Sequence, residues 1–152
     1  MNQFIKIAAV VMASVFTLST TYSFAATTSG NDENKEVKAS FQRDFRNAHL
    51  MSTEVKDNFT KVTFTLNDQV MTAFYAADGS LLGVTRNIVS SQLPVSLLVS
   101  FRKHYNEYWI TDLFEMSQDA QSNYYLSLEN ADTKLTLRSN GDSWEVYSTV
   151  RK

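Results

Sequence analysis

The chain carries one pattern twice. Val37, Phe41, Phe45 and Ala48 recur at intervals of 4, 4 and 3, the spacing of one apolar helix face. Leu97, Phe101, Tyr105 and Tyr108 repeat that spacing 60 positions later, and Ser40-Phe41-Gln42-Arg43 lies against Ser100-Phe101-Arg102-Lys103. Further along the displacement becomes 62. Val62, Phe64 and Leu66 match Tyr124, Leu126 and Leu128, both alternating as half-buried strands do. Asp78-Gly79 matches Asn140-Gly141, and both pairs suit tight hairpins because Gly and Asn tolerate positive φ. Leu82, Val84 and Ile88 then match Trp144, Val146 and Val150. A two-residue insertion in the second copy, between its helix and second strand, accounts for the change from 60 to 62.

Each copy thus predicts a helix followed by four strands. The first copy gives a helix over Glu36–Ala48 and strands over Met51–Lys56, Thr60–Leu66, Val70–Ala76 and Leu81–Ile88. The second gives a helix over Pro94–Glu107 and strands over Trp109–Met116, Asn123–Glu129, Lys134–Arg138 and Trp144–Val150. Pro94 fits a first helical turn, where its missing N–H loses nothing. Hairpin-length connections imply antiparallel pairing. The expected fold is α+β: a tandem repeat of helix plus four antiparallel strands, forming one continuous sheet with two helices on one face. A copy of 50–60 residues is marginal alone, so residues 36–152 are expected to form a single domain of two repeats, 36–90 and 91–152.

The start of the chain reads as an export signal. Lys6 precedes the apolar run Ile7 to Leu18, and Ser23-Phe24-Ala25 supplies small residues for cleavage after Ala25. That run is too short for a membrane span, and no cysteine stands at the junction for lipid attachment. Cleavage would leave a periplasmic or secreted protein without a span, and not a lipoprotein. The polar stretch Thr27 to Lys35 completes an expected disordered linker over 26–35. The chain has no cysteine, so the fold rests on its core without disulfides, and thiolate chemistry is excluded. Without Lys6 the balance is 13 basic to 16 acidic residues, and the basic ones are dispersed, which argues against nucleic acid.

At this point the sequence resembles the PepSY-like, β-lactamase-inhibitor-like proteins exported by Bacteroidetes-type bacteria. The carriers are the run Ala73-Phe74-Tyr75-Ala76-Ala77-Asp78-Gly79-Ser80-Leu81-Leu82, then Leu93-Pro94, then Tyr105-Asn106-Glu107-Tyr108-Trp109-Ile110. Their order and spacing hold from about Val37 to Val150. The resemblance implies tandem helix-plus-four-strand units and a non-enzymatic, protein-binding or inhibitor-like role.

Catalytic patterns are sparse. His49 follows a helix end and His104 lies on the polar side of the second helix, so both read as solvated side chains. No metal-binding histidine spacing, no G-x-S-x-G and no phosphate loop occurs; the chain has four glycines in all. Asp112 with Glu115, or Asp142 with Glu145, could be drawn as acid and base, but read as solubilising charge. Asn58-Phe59-Thr60 fits a glycosylation sequon and is incidental in a bacterial host. No catalytic residue, cofactor or metal site is expected.

The sheet face opposite the helices is the expected working surface. If Phe64, Leu126, Leu137 and Val146 point to the core, alternation sends Thr63, Thr65, Thr72, Phe74 and Thr85 outward in the first copy. In the second it sends out Tyr125, Ser127, Lys134, Thr136, Arg138, Glu145, Tyr147 and Thr149. Phe74 takes its side from its counterpart Thr136. Tyr and Arg combine contact area with a polar handle and are enriched at binding hot spots; Thr and Tyr also suit any solvated sheet face. The candidate partner-binding residues are Phe74, Tyr125, Thr136, Arg138 and Tyr147. The expected function is to bind or inhibit another protein, a peptidase or cell-envelope component, through this exposed face. The alternative is a carrier holding a small apolar ligand between sheet and helices. Edge strands allow a monomer or a weak dimer.

Overall fold

The computed structural model describes residues 35–152. The expected signal over 1–25 and residues 26–34 of the expected linker lie outside them, and Lys35 opens the first helix instead of ending a linker. The elements run α1 (Lys35–Asp44), β1 (His49–Lys56), β2 (Phe59–Leu66), β3 (Gln69–Tyr75) and β4 (Leu81–Asn87). A 3₁₀ turn at Ser90–Gln92 leads to α2 (Val95–His104), β5 (Trp109–Gln118), β6 (Gln121–Glu129), β7 (Thr133–Asn140) and β8 (Ser143–Arg151). The eight strands form one antiparallel sheet in chain order, a meander from β1 to β8. The α+β architecture is the one the duplication implies.

Both helices end earlier than the periodicity does. α1 stops at Asp44 and α2 at His104, yet Phe45, Ala48, Tyr105 and Tyr108 still pack into the core from the turns beyond them. Those turns are held by matching hydrogen bonds: the N–H of Phe45 donates to Phe41, that of Ala48 to Phe45, that of Tyr105 to Phe101, and that of Tyr108 to Tyr105. Arg43 near the end of α1, and Arg102, Lys103 and His104 at the end of α2, face the negative ends of the helix dipoles.

Each helix covers its own repeat. Val37 and Phe41 of α1 meet Val62, Phe64, Ala73 and Tyr75. Leu97 of α2 meets Leu113, Leu126, Leu128, Leu135, Leu137 and Trp144, and the Trp144 indole N–H donates to the Leu97 carbonyl at 2.9 Å. Both clusters lie on the same side of the sheet. Val84 packs under α1, Arg86 points the same way two residues on, and it pairs across the seam with Glu115, two residues from Leu113 under α2. At that seam the Arg86 guanidinium holds the buried Glu115 carboxylate at 2.6 Å.

The register also locates the insertion. A bulge interrupts β1 between Leu50 and Ser52, and its counterpart interrupts β5 between Ile110 and Asp112, still 60 positions apart. The next hairpins close at Lys56–Phe59 and at Gln118–Gln121, now 62 apart. The two extra residues therefore lengthen β5 beyond its bulge. Hairpins at Asn67-Asp68 and Asp119-Ala120 use positive φ at both central residues.

A further bulge, between Thr136 and Leu137 on the β7–β8 pair, leaves Tyr147 unpaired and shifts the alternation of β8. Thr149 consequently pairs with Leu135 on the helix side, where alternation had sent it outward. Val146 keeps the helix side but is 58% exposed, because β8 is the sheet edge; it is not a core residue.

The two duplicated turn glycines serve different ends. Gly79, at φ +79°, sits under α1, where an added Cβ would lie 2.8 Å from the Glu36 carbonyl oxygen and 2.9 Å from Ser40 Oγ. Gly141, at φ +59°, has nothing within 4 Å of such a Cβ. Gly141→Ala should carry only the left-handed backbone cost, about 1–2 kcal/mol. Gly79→Ala adds a steric clash and should cost roughly 3 kcal/mol or more. Urea unfolding of the two variants checks the order, and equal losses would refute this account of Gly79.

Candidate functional site

The face opposite the helices is built by register. One row runs across four strands as Phe114, Tyr125, Arg138 and Glu145. Beside it runs Asp112, Ser127, Thr136 and Ser148. Beyond that lie Trp109, Glu129, Lys134 and Val150. Phe59 and Phe74 belong to the same face in the first repeat, with Phe74 opposite Lys61.

Three of the five candidate residues form one cluster. The Tyr125 ring stacks on Phe114 at 5.0 Å and 8°, and meets Tyr147 edge-on at 5.9 Å. Arg138 lies 6.0 Å from the Tyr147 ring centre and donates from Nε to Glu145 at 2.7 Å. Burial works against the charged form of Arg138, but the hydrogen bond and charge of Glu145 outweigh it and hold the guanidinium above its ordinary value. Burial likewise raises the Tyr125 phenol, partly offset by Arg138. Thr136 stands in the next row. Phe74 does not join them: it is three strands from Tyr125 and meets Phe59 instead, at 5.7 Å.

The sidedness expected for all five residues is correct, and the exposure is not. Phe74 is 2% exposed, Tyr125 3% and Thr136 4%; only Arg138 and Tyr147 are half-buried. Alternation tells which side a residue points to, but not what its neighbours cover. Here aromatic rings shelter one another, and none of Phe59, Phe74, Phe114, Met116 or Tyr125 belongs to the clusters under the helices. A face that reads as threonine-rich also carries large apolar side chains, because Phe59, Phe114 and Met116 join it.

Three residues missed by the sequence reading complete the site. Trp109 is 53% exposed on this face, with the Lys152 ammonium 5.4 Å from its ring centre. Phe114 floors the aromatic row. Asp112 carries the only buried side-chain N or O atom, Oδ2, without a hydrogen-bond partner among the described residues. Alternation through β5 could have flagged Trp109 and Phe114, but the bulge at Thr111 breaks the parity between them. Nor does the Asp112–Glu115 pair drawn from sequence survive. Asp112 and Glu115 lie on opposite faces, and Glu115 is buried in its ion pair with Arg86 rather than solubilising. His49 and His104 are exposed as expected, and no group of three metal-ligating side chains exists among the described residues.

No family model matches the chain, and no curated protein matches it significantly. Solved structures do. A DUF2874 family protein from Bacteroides ovatus superposes with a TM-score of 0.69 at 12% identity, over 80% of this chain and 89% of that one. A BLIP-like protein from Bacteroides fragilis gives 0.68 at 13% identity, over 84% and 92%. This chain shares their fold. A protein from Bacteroides eggerthii, named as a candidate periplasmic protein, gives 0.67 at 9% identity over 76% and 86%. At these identities the likeness to the BLIP-like and DUF2874 structures establishes architecture alone. No helix among the described residues is long and apolar enough to cross a membrane.

Substitutions at Tyr125 separate its hydroxyl from its ring. Tyr125→Phe should cost about 1 kcal/mol or less, since only a hydroxyl beside Arg138 is lost. Tyr125→Ala should cost about 3–4 kcal/mol by opening a cavity under Phe114 and Tyr147. Denaturant unfolding distinguishes the two, and a neutral alanine variant would show the ring is not packed. Asp112 gives a pH signature. Burial raises its carboxyl above the ordinary aspartate value, against one backbone hydrogen bond from Leu113. The folded state then holds that proton more tightly than the unfolded chain, so this contribution is present at low pH and lost as pH rises through the raised value. The stability of Asp112→Asn relative to wild type should therefore improve between about pH 3 and about pH 7. A constant or opposite difference in urea midpoints would contradict it.

Proposed function

We propose that this is an exported, non-enzymatic protein that binds another protein through the second-repeat part of the face opposite its helices. One observation carries the reading. Phe114, Tyr125, Arg138 and Tyr147 converge there with the exposed Trp109, on a sheet face that neither helix cluster includes. Trp, Tyr and Arg are the residue types that dominate binding energy when set in a rigid, packed patch. Strand pairing on both sides of β6 and β7 supplies that rigidity. The mechanism is occlusion: a preformed face covers a partner's working surface.

The PepSY-like part of the resemblance enters here too, supported by the order of the Ala73–Leu82, Leu93-Pro94 and Tyr105–Ile110 motifs. Export after cleavage near Ala25 is supported by the apolar run and small residues of the leader, and agrees with the candidate periplasmic neighbour. The partner class is a peptidase or cell-envelope component, met by a monomer or weak dimer. The carrier alternative is less well supported, because side chains of both helices fill the space against the sheet.

Affinity capture from cell-envelope extract, with mass spectrometry of the retained proteins, tests the proposal. The surface variant is Trp109→Ala/Arg138→Ala/Tyr147→Ala, chosen because these side chains are not fully buried. One protein retained reproducibly by wild type and lost with the triple variant is the expected outcome. Retention unchanged by that variant would remove the face from the proposal.

A further inference from the structure

The sheet has two unpaired edges, β1 at one end and β8 at the other. All eight residues of β1 are exposed, and so are Ser148 to Arg151 of β8. Such edges offer backbone N–H and C=O groups to another strand. The duplication says which strand fits. β4 ends the first repeat and β5 begins the second, so their seam joins the end of one repeat to the start of the next. The same join is left open between β8, which ends the second repeat, and β1 of a second copy.

Cross-strand register gives the equivalent positions. Arg86 lies opposite Met71 and Arg151 opposite Thr133, 62 positions on. Glu115 lies opposite Tyr124 and Thr53 opposite Val62, again 62 apart. Arg151 therefore stands where Arg86 does, and Thr53 where Glu115 does. Carried over to two copies, the seam pairs Val84–Ser117, Thr85–Met116 and Arg86–Glu115 become Thr149–Val55, Val150–Glu54 and Arg151–Thr53. Each strand keeps its counterpart's register with its own neighbour, so side chains match in sidedness and the outward backbone groups alternate alike. The pairing would cover Val55, now 69% exposed, and Val150, 53% exposed. Their counterparts at the internal seam, Ser117 and Thr85, already have a strand beside them.

We propose that copies of this protein associate head to tail, β8 of one pairing antiparallel with β1 of the next in the register of the β4–β5 seam. A second copy is the occupant because the molecule already contains this contact once; a twofold pairing of β1 with β1, or of β8 with β8, has no such template. The inference does not rest on the partner-binding face, which an added β1 would extend beyond Tyr147 rather than cover. The association is weak for two reasons. Inside the chain the segment from Ile88 to Pro94 tethers the two sides of the seam, whereas separate copies lose translational and rotational freedom. The Arg86–Glu115 ion pair is also missing, since Arg151 would meet the Thr53 hydroxyl. A dimer is the first step, and because the two surfaces differ, further copies can add at high concentration.

The missing carboxylate supplies the test. In sedimentation velocity over rising protein concentration, Thr53→Glu should tighten self-association roughly two- to fivefold, and Thr53→Arg should weaken it by a similar factor. Circular dichroism checks that both exposed-site variants fold. Disulfide trapping fixes the register, and the chain has no cysteine of its own to interfere. Cross-strand partners lie about 4.5–5.5 Å apart at Cα, within reach of a disulfide. Thr53→Cys and Arg151→Cys chains, mixed in a glutathione redox buffer, should give the mixed dimer well beyond its statistical share. Homodimers of either variant in excess would show a twofold contact and overturn the proposal. A statistical mixture or no cross-link would overturn it too, as would association that Thr53→Glu and Thr53→Arg leave unchanged.

Discussion

The structure depends on one short seam. β4 and β5 pair over only four residue pairs, Val84–Ser117 to Asn87–Phe114, and that pairing turns two four-stranded units into one sheet. Without it each repeat would be a helix on a small sheet, near the size where a core barely offsets chain entropy. The Arg86–Glu115 pair reinforces the seam from the helix side, where Gln69 also accepts from Arg86 at 3.4 Å. With Arg86 about one-third exposed, the pair is worth at most a few kcal/mol, but removing either partner strands a charge over the boundary between the helix clusters. The backbone ladder and this pair together hold the repeats in register.

The opposite side of the seam is where the two repeats meet without a helix. Phe114 and Met116 from β5 face Asn87 and Thr85 from β4 there, so the aromatic face begins at the join and extends through β6 to β8. This splits the labour between the repeats. The first repeat contributes Phe59, Phe74 and a polar margin of Thr63, Thr65 and Thr72. The second contributes the charged and aromatic cluster. Duplication supplied two equivalent scaffolds, and side-chain divergence on one face made only the second a candidate site.

Bulges are the devices that set this divergence in space. The bulge of β1 and β5 is shared by the repeats, and the shift at Thr136/Leu137 that frees Tyr147 also has a counterpart at Phe74/Tyr75, where it frees Leu82 of β4 instead. An extra residue in one strand bends it and re-aims the side chains beyond. At β8 it sets Tyr147 against Tyr125 and Arg138, and at β5 it brings Trp109 and Asp112 onto one face although they are three apart.

The fold was legible from the sequence because duplication doubles every signal. Helix periodicity, alternating strands and turn pairs each appeared twice at a fixed displacement, and a local pattern fixes a local structure. The sidedness of Phe74, Tyr125, Thr136, Arg138 and Tyr147 was legible for the same reason: alternation is a property of one strand. What only the tertiary structure decided depends on contacts between strands. Burial of Phe74 and Tyr125 is set by rings from neighbouring strands, which no single strand's pattern encodes. The parity breaks at Thr111 and Tyr147 exist only as mismatches between paired strands. Asp112 looked like any surface acid until pairing placed it between Phe114 and Trp109 with an oxygen that none of the described residues satisfies. The sequence determined the elements and their order, since these arise from short-range periodicity and turn chemistry; the site arose from long-range register, which only the assembled sheet defines.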